Sequence, residues 1–244
     1  MTALIRTELV RLRTTRSAWG LLTAGLILAL GWAAAVLGNV GGIGASAAGS
    51  AQLRADLLGA TGIGLFPVLL LGVVTVTGEF HHRTATATFL VTPHRWRVLV
   101  AKAVACAIAG LLVMAGLLAT VWTVGVLAGA VDPSADVALA ALAGRSMLVA
   151  ACWALLGVAV GAAVRNQTLA VLVPLVWFLL IETLIPSYGL DALVPYLPGG
   201  VTAALAGLGT ADGLPVWAAL LVLLAYVLAL LVPSGRAIAR RDIT

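Results

Sequence analysis

VLVAKAVACAIAGLLVMAGLLATVWTVGVLAG, residues 98–129, contains a single charged side chain, Lys102, which lies near one end of the stretch. A helix crosses the hydrocarbon layer of a bilayer, about 30 Å thick, with about 20 mainly apolar residues. This stretch is therefore long enough to span a membrane. Strands of a membrane barrel alternate apolar and polar residues, whereas this run is continuously apolar, which favours a helix.

The composition of the whole chain agrees with this interpretation. Its 244 residues are 62% hydrophobic and 9% charged, and the mean hydropathy is +1.15. That is more apolar surface than one soluble core can hide, so the sequence predicts an all-α integral membrane protein with six transmembrane helices. The predicted spans lie near residues 19–38, 57–77, 98–129, 146–164, 168–185 and 215–232.

The basic residues predict the orientation of these helices, because Lys and Arg in short loops are retained on the cytoplasmic side. Of the 14 Lys and Arg, all but Arg54 and Arg145 fall in or beside the N-terminal segment, the loops before the third and fifth spans, and the C-terminal tail. Both termini are therefore predicted to be cytoplasmic. The net charge of +5 then reflects topology, and we expect no nucleic-acid binding.

Residues 1–18 precede the first span and have the pattern of a basic amphipathic helix lying in the membrane interface. Its apolar residues fall near one helical face, namely Leu4, Ile5, Leu9 and Leu12. A solvated basic leader that only fixes topology is the alternative. At the other end of the chain, residues 236–244 are predicted to form a short cytoplasmic tail.

The two longest outer connections differ in character. VGGIGASAAGSAQLRAD, residues 40–56, predicts a flexible loop because it is rich in Gly, Ala and Ser. The segment before the last span is too hydrophobic for a solvated loop and is broken by Pro186, Pro195 and Pro198. It predicts short broken helices that re-enter the outer leaflet, with protein or an aqueous cavity covering their backbone.

Glycine and proline predict two further features of the spans. Gly157 and Gly161 form a GxxxG motif on the fourth span, which indicates close helix packing. Pro67 and Pro174 predict kinks in the second and fifth spans.

GEFHHRTATATFLVTPHRWRVLVAK, residues 78–102, contains the one long polar loop, which joins the second and third spans. Glu79 and Arg83 would pair on a helix, although the alternation of Thr and Ala after them also fits an extended strand. Thr92 and Pro93 suit the start of the third span, which Trp96 and Lys102 are expected to anchor at the cytoplasmic surface. The loop predicts a docking surface for a cytoplasmic partner; a basic interfacial helix on anionic lipid is the alternative.

GEF and Thr84, followed by FLVTPHRWRVLVAK, resemble the loop between the second and third helices of ABC-2 type transport permeases, the membrane subunits of many bacterial ABC exporters. RTELVRLRTTRSAW is similar to the cytoplasmic leader of that family, and with the six-span layout the resemblance covers essentially the whole chain. It implies an elbow helix over residues 1–18, a coupling helix in loop 78–97, and re-entrant helices before the last span. Arg83 stands where the family usually has glycine, a departure that bears on the turn.

In that family the coupling loop docks into a cleft of a cytoplasmic ATPase. By position, the resemblance carries this role onto Glu79, Phe80, Thr84, Phe89, Thr92, Pro93 and Arg95. It further implies that the transmembrane domain, residues 19–235, forms a homodimer with a second permease copy, or pairs with a relative. The expected setting is the lipid of a bacterial inner membrane.

Catalytic motifs are absent from the sequence. Lys102 is the only lysine and alanine precedes it, so the chain has no GxxxxGK phosphate-binding loop, and ATP with Mg²⁺ is expected on a separate subunit. His81 and His82 are adjacent, so their rings do not share a helical face, and no HExxH motif or cysteine completes a metal site. We therefore expect no catalytic residue, no metal and no cofactor in this chain.

Glu182 is the acidic residue that falls inside a predicted span, just before Pro186. Ionisable groups at membrane depth often line a transport path, but near the outer interface a structural contact to the re-entrant segment explains it equally well. The sequence thus predicts a permease that exports an amphipathic or lipid-like substrate with energy from a separate ATPase. A membrane anchor or sensor subunit without transport is the alternative, and the nearly charge-free spans disfavour a secondary transporter.

Overall fold

The computed structural model describes residues 1–39, 51–81, 95–130, 137–164, 166–207 and 213–240. In these ranges the regular elements are helices and no strand occurs. Six helical segments of the described chain are long and apolar enough to cross a membrane: Arg16–Gly38, Thr61–Gly78, Trp96–Leu127, Ala140–Val164, Gln167–Ser187 and Val216–Arg236. The prediction of an all-α, multi-pass membrane protein is therefore confirmed.

The helices follow one another as α1 (Thr2–Thr14), α2 (Arg16–Gly38), α3 (Ala51–Ile63), α4 (Leu65–His81), α5 (Arg95–Leu127) and α6 (Val137–Val164). Helix α7 (Gln167–Val176) continues through a π-helical turn, Trp177–Ile181, into α8 (Glu182–Ser187). A 3-10 helix, Asp191–Tyr196, then leads to α9 (Pro198–Leu205), and α10 (Val216–Arg240) follows.

Helices α4 and α6 form the centre of the bundle, because glycines let their backbones touch. A Cβ on Gly157 would overlap the Leu69 carbonyl oxygen, and a Cβ on Gly72 would overlap the Ala154 carbonyl oxygen. Gly161 lies against the α4 backbone one turn further along. The predicted GxxxG packing is confirmed, and both of its glycines face the same neighbouring helix.

Helices α2, α7 and α10 lie at the periphery of the single chain. Many of their large apolar side chains are exposed, among them Ile27, Trp32, Leu172, Trp217 and Leu228. A water-soluble fold rarely exposes contiguous apolar faces of this kind, whereas a membrane span presents them to lipid or to another subunit.

The prediction of a flexible loop through residue 56 is wrong at its end, because α3 already begins at Ala51. Leu53 and Leu57 lie one helical turn apart and are each 1% exposed. They pack in one apolar cluster with Ala29 of α2 and Leu117 of α5. The segment is helical because two leucines on one face find this apolar site, a contact that its composition did not reveal.

Both prolines that predicted kinks lie next to an irregularity of their span. Pro67 lies in the first turn of α4, three residues after Gly64, where the second span, Thr61–Gly78, is interrupted between α3 and α4. Its ring packs against α2, where a Cβ on Gly25 would lie 3.3 Å from Pro67 Cγ. Pro174 lies inside α7, just before the π-helical turn, so the fifth span does carry an irregularity.

Candidate functional site

One end of the bundle brings together both ends of the described chain and the flanks of loop 78–97. Glu8 of α1 contacts Lys102 of α5, and the Trp96 ring at the start of α5 occupies the space where a Cβ on Gly235 of α10 would lie. Gly78, near the end of α4, lines a cavity there together with α1 residues. We call this end of the bundle the basic end, because most arginines of the described chain lie in its elements. We call the other end of the bundle the opposite end.

The strongest polar contact of the basic end is a buried ion pair. Lys102 Nζ donates to both carboxylate oxygens of Glu8, at 2.9 Å to Oε1 and 2.8 Å to Oε2. Their side chains are only 3% and 10% exposed for Lys102 and Glu8 respectively. Lys102 is thus not the anchor at the membrane surface that the sequence predicted, since it joins α1 to α5 inside the protein.

The orientation of α1 relative to α2 is fixed at Thr15. This residue has an extended backbone, with φ −82° and ψ 123°, and separates the two helices. Its hydroxyl donates to the Arg11 carbonyl oxygen at 2.6 Å, and Trp19 Nε1 donates to the Arg13 carbonyl oxygen at 2.7 Å. The turn between α1 and α2 is therefore held by side chains from both sides.

A cavity of about 280 Å³ lies between α1, α2, α4 and the start of α7. Its polar lining consists of Glu8, Arg11, Thr15, Ser17, Thr75 and Gln167. Apolar side chains, among them Leu12 and Leu71, form the rest of its wall. Because this space separates α1 from α4, the buried attachment of α1 to the bundle is made mainly through α5.

The residues predicted to couple to an ATPase lie around the junctions of α4 and α5 with their loop. Helix α4 continues to His81, so residues 78–81 are its last turn and not part of the loop; Glu79 and Phe80 belong to this turn. Arg95 is the first residue of α5. Thr84, Phe89, Thr92 and Pro93 lie outside the described residues, as does the predicted pairing partner Arg83.

At the opposite end, Glu182 connects the fifth span to α9. Its Oε1 accepts hydrogen bonds from Trp177 Nε1 at 3.1 Å and from the Gly199 backbone N–H at 3.0 Å. A Cβ on Gly199 would overlap Oε2, so the carboxylate fits only against glycine. This geometry is the structural contact that the sequence offered as one explanation of Glu182, while a role in a transport path stays a prediction.

A second tie holds α9 to the central helix α6, and sequence reasoning missed it. Trp153 Nε1 donates to Thr202 Oγ1 at 3.0 Å, and the Thr202 hydroxyl donates to the Pro198 carbonyl oxygen at 2.7 Å. The Trp153 ring also stacks on Phe178, with centroids 4.7 Å apart. A buried indole N–H in an apolar span needs a hydrogen-bond acceptor, and the presence of Trp153 in such a span could have indicated this contact from the sequence.

Metal-ligating side chains do not cluster in the part of the chain that the structure describes. No group of three or more His, Cys, Asp and Glu is placed there to hold an ion. Cys106 and Cys152 are buried thiols without a disulfide.

Comparison with known proteins adds no identification: no protein-family model matches the chain, and no curated protein matches it significantly.

Proposed function

We propose that this chain is the permease subunit of an ATP-driven exporter of the ABC-2 type, with ATP hydrolysis on a separate cytoplasmic subunit. The observation that carries the proposal is the polar stretch of sequence at residues 78–102, whose GEF and FLVTPHRWRVLVAK segments resemble the coupling loop of that family. In this proposal both termini are cytoplasmic, α1 is the elbow helix, and the 3-10 helix Asp191–Tyr196 and α9 are the re-entrant helices. The membrane is the inner membrane of a bacterium, and a second permease copy completes the path.

The contacts of the basic end support a route for mechanical coupling. Residues 82–94 join α4 to α5, and both helices pack against the central helix α6. Lys102, about two helical turns after the start of α5, fixes α1 to the same helix through Glu8. A push on the loop would therefore move α5 and α1 as one body.

The contacts of the opposite end continue this route. Trp153 of α6 donates to Thr202 of α9, and Glu182 links α9 to the fifth span. A displacement of α6 relative to the fifth span would strain both of these hydrogen bonds and change the position of α9. This is how ATP-driven movement of the loop would reach the outer side of the membrane.

The substrate class follows from the composition of the spans. Within the predicted spans the charged side chains are few, and Lys102 is neutralised by Glu8. An ion or a sugar would need polar groups along its path, whereas an amphipathic or lipid-like substrate would not. We therefore propose an amphipathic or lipid-like substrate, moved outward.

Purification in a mild detergent tests the proposal, with measurement of the co-purifying proteins and of ATP hydrolysis. We expect a stoichiometric Walker-motif subunit with ATPase activity, and loss of both when Glu79→Lys is combined with Phe80→Ala. The matched control is Tyr188→Ala, because Tyr188 is 77% exposed at the opposite end of the bundle, and it should retain both.

Two results would contradict the exporter. A folded protein that purifies without any ATPase would remove its energy source. A stable ATPase complex whose hydrolysis no amphiphile stimulates, and which moves no fluorescent lipid in proteoliposomes, would favour a membrane anchor or sensor subunit.

A further inference from the structure

A second cavity, of about 180 Å³, opens at the opposite end of the bundle between α3 and α9. Gly62 at its rim is exposed. Its floor consists of Leu65, Met114 and Val149, one residue each from α4, α5 and α6, and all three are buried. The cavity therefore deepens from an accessible rim to an apolar floor in the interior of the bundle.

The wall contains three hydroxyl side chains, Thr61, Ser146 and Thr202; Ser146 and Thr202 are engaged in hydrogen bonds within the protein, and Thr61 is buried and also has an interaction partner. The Thr202 hydroxyl accepts from Trp153 Nε1 and donates to the Pro198 carbonyl oxygen. The Ser146 hydroxyl donates to the Leu142 carbonyl oxygen at 3.0 Å. A buried water molecule needs two to four polar partners. This wall has few hydrogen-bonding groups left for water and therefore favours an apolar occupant.

The volume fits a specific size of ligand. An apolar cavity of about 150 Å³ stays dry and takes up benzene. The cavity here is slightly larger, and small residues such as Ala203 of α9 and Ala206, directly after α9, form part of its wall. An alkyl or aryl group can enter past these side chains without displacing a large one.

We propose that this cavity binds the apolar end of an amphiphile, an alkyl or aryl group of about the size of benzene, with the polar end left at the rim. The occupant comes from a bilayer lipid or from another amphiphile. The proposal does not depend on transport, because it concerns a binding site within a single chain.

Methionine NMR provides the test, because the chain contains 3 methionines and only Met114 lies on the cavity floor. Met114 is 1% exposed, whereas Met1 is 56% exposed and serves as an internal control. Benzene is titrated into protein with ¹³C-labelled methionine methyl groups in phosphatidylcholine nanodiscs. We expect a saturable shift of the Met114 resonance and none of the Met1 resonance.

Filling the cavity should weaken this response of the Met114 resonance. Ala203→Phe places a ring in the cavity and should weaken benzene binding at Met114 by about tenfold or more. Ala34→Phe is the matched control, since Ala34 is exposed on α2, and its titration should equal that of the unmodified protein. If Ala203→Phe does not fold, Ala206→Leu at the rim applies the same test.

Phosphatidylcholine with a nitroxide at the end of its acyl chain distinguishes the two sources. Broadening of Met114 that Ala203→Phe removes would assign the occupant to bilayer lipid. Saturable benzene binding without such broadening would assign it to another amphiphile. A benzene shift that never saturates and is shared by all methionines, or one that persists in the filled variants, would overturn the proposal.

Discussion

Each end of the bundle depends on a glutamate, and the two are held in different ways. At the basic end, Glu8 meets the full positive charge of Lys102 inside the protein. At the opposite end, Glu182 accepts hydrogen bonds from neutral groups, the Trp177 indole and the Gly199 amide. A buried charge without its counter-charge costs several kcal/mol, whereas a neutral donor needs only an acceptor. The stability of the basic end therefore depends on charge neutralisation, and the stability of the opposite end depends on hydrogen-bond geometry.

Removal of the positive charge of Lys102 should have the largest effect on the free energy of unfolding. Lys102→Met would leave the Glu8 carboxylate buried without its ion-pair partner, which costs about 3–5 kcal/mol of unfolding free energy. Unfolding in mixed detergent and SDS micelles, followed by circular dichroism, measures this loss. The double variant Glu8→Gln with Lys102→Met removes both charges and should recover most of the stability. A double variant as unstable as Lys102→Met would show that the pairing itself is unimportant.

The close contact of α4 with α6 lies between the two ends, and its loss should have the second-largest effect on stability. Gly157→Ala would push a methyl group into the Leu69 carbonyl and should cost about 1–3 kcal/mol. Gly116→Ala in α5 is the matched control, because a Cβ there meets nothing within 4 Å. The control should be neutral or stabilising by up to about 1 kcal/mol, as alanine favours helix. Equal losses in the same unfolding assay would contradict close packing as the reason.

The features that the sequence predicted are those that a short stretch of chain determines. The apolar spans follow from local composition, and the packing of Gly157 and Gly161 follows from their spacing. The ion pair joins residues 94 positions apart, and its formation depends on how Thr15 orients α1. No local pattern in the sequence specifies the angle between α1 and α2.

Helix α3 and the attachment of α9 escaped prediction for a related reason. The composition around Ala51 is that of a linker, and only the apolar cluster that receives Leu53 and Leu57 makes the segment helical. Trp153 and Thr202 lie on different helices, and the bond between them depends on where the short helix α9 packs. The candidate coupling residues come from a sequence resemblance, and Thr84, Phe89, Thr92 and Pro93 among them lie outside the described residues.

A smaller effect is expected from the second tie of the opposite end. Trp153→Phe keeps an aromatic ring next to Phe178 but removes the N–H that Thr202 Oγ1 accepts. The loss of one neutral hydrogen bond should cost about 0.5–1.5 kcal/mol, because Thr202 retains its bond to Pro198. Hydrogen exchange at the backbone amides of α9 should accelerate by the factor that corresponds to this loss of free energy. Unchanged exchange there, in a variant that is less stable overall, would place the effect of Trp153 in core packing.

The same substitution at both glutamates tests the comparison most directly. Glu182→Gln retains a side-chain oxygen that can accept from Trp177 and Gly199, so the expected loss is about 1 kcal/mol or less. Glu8→Gln removes the carboxylate that neutralises the buried Lys102 ammonium and should approach the cost of Lys102→Met. Both variants exchange one oxygen for an NH₂ group at nearly constant volume, so packing does not explain a difference between them. If both lose the same stability, the carboxylate of Glu182 is needed for its charge, and the distinction between the two ends is wrong.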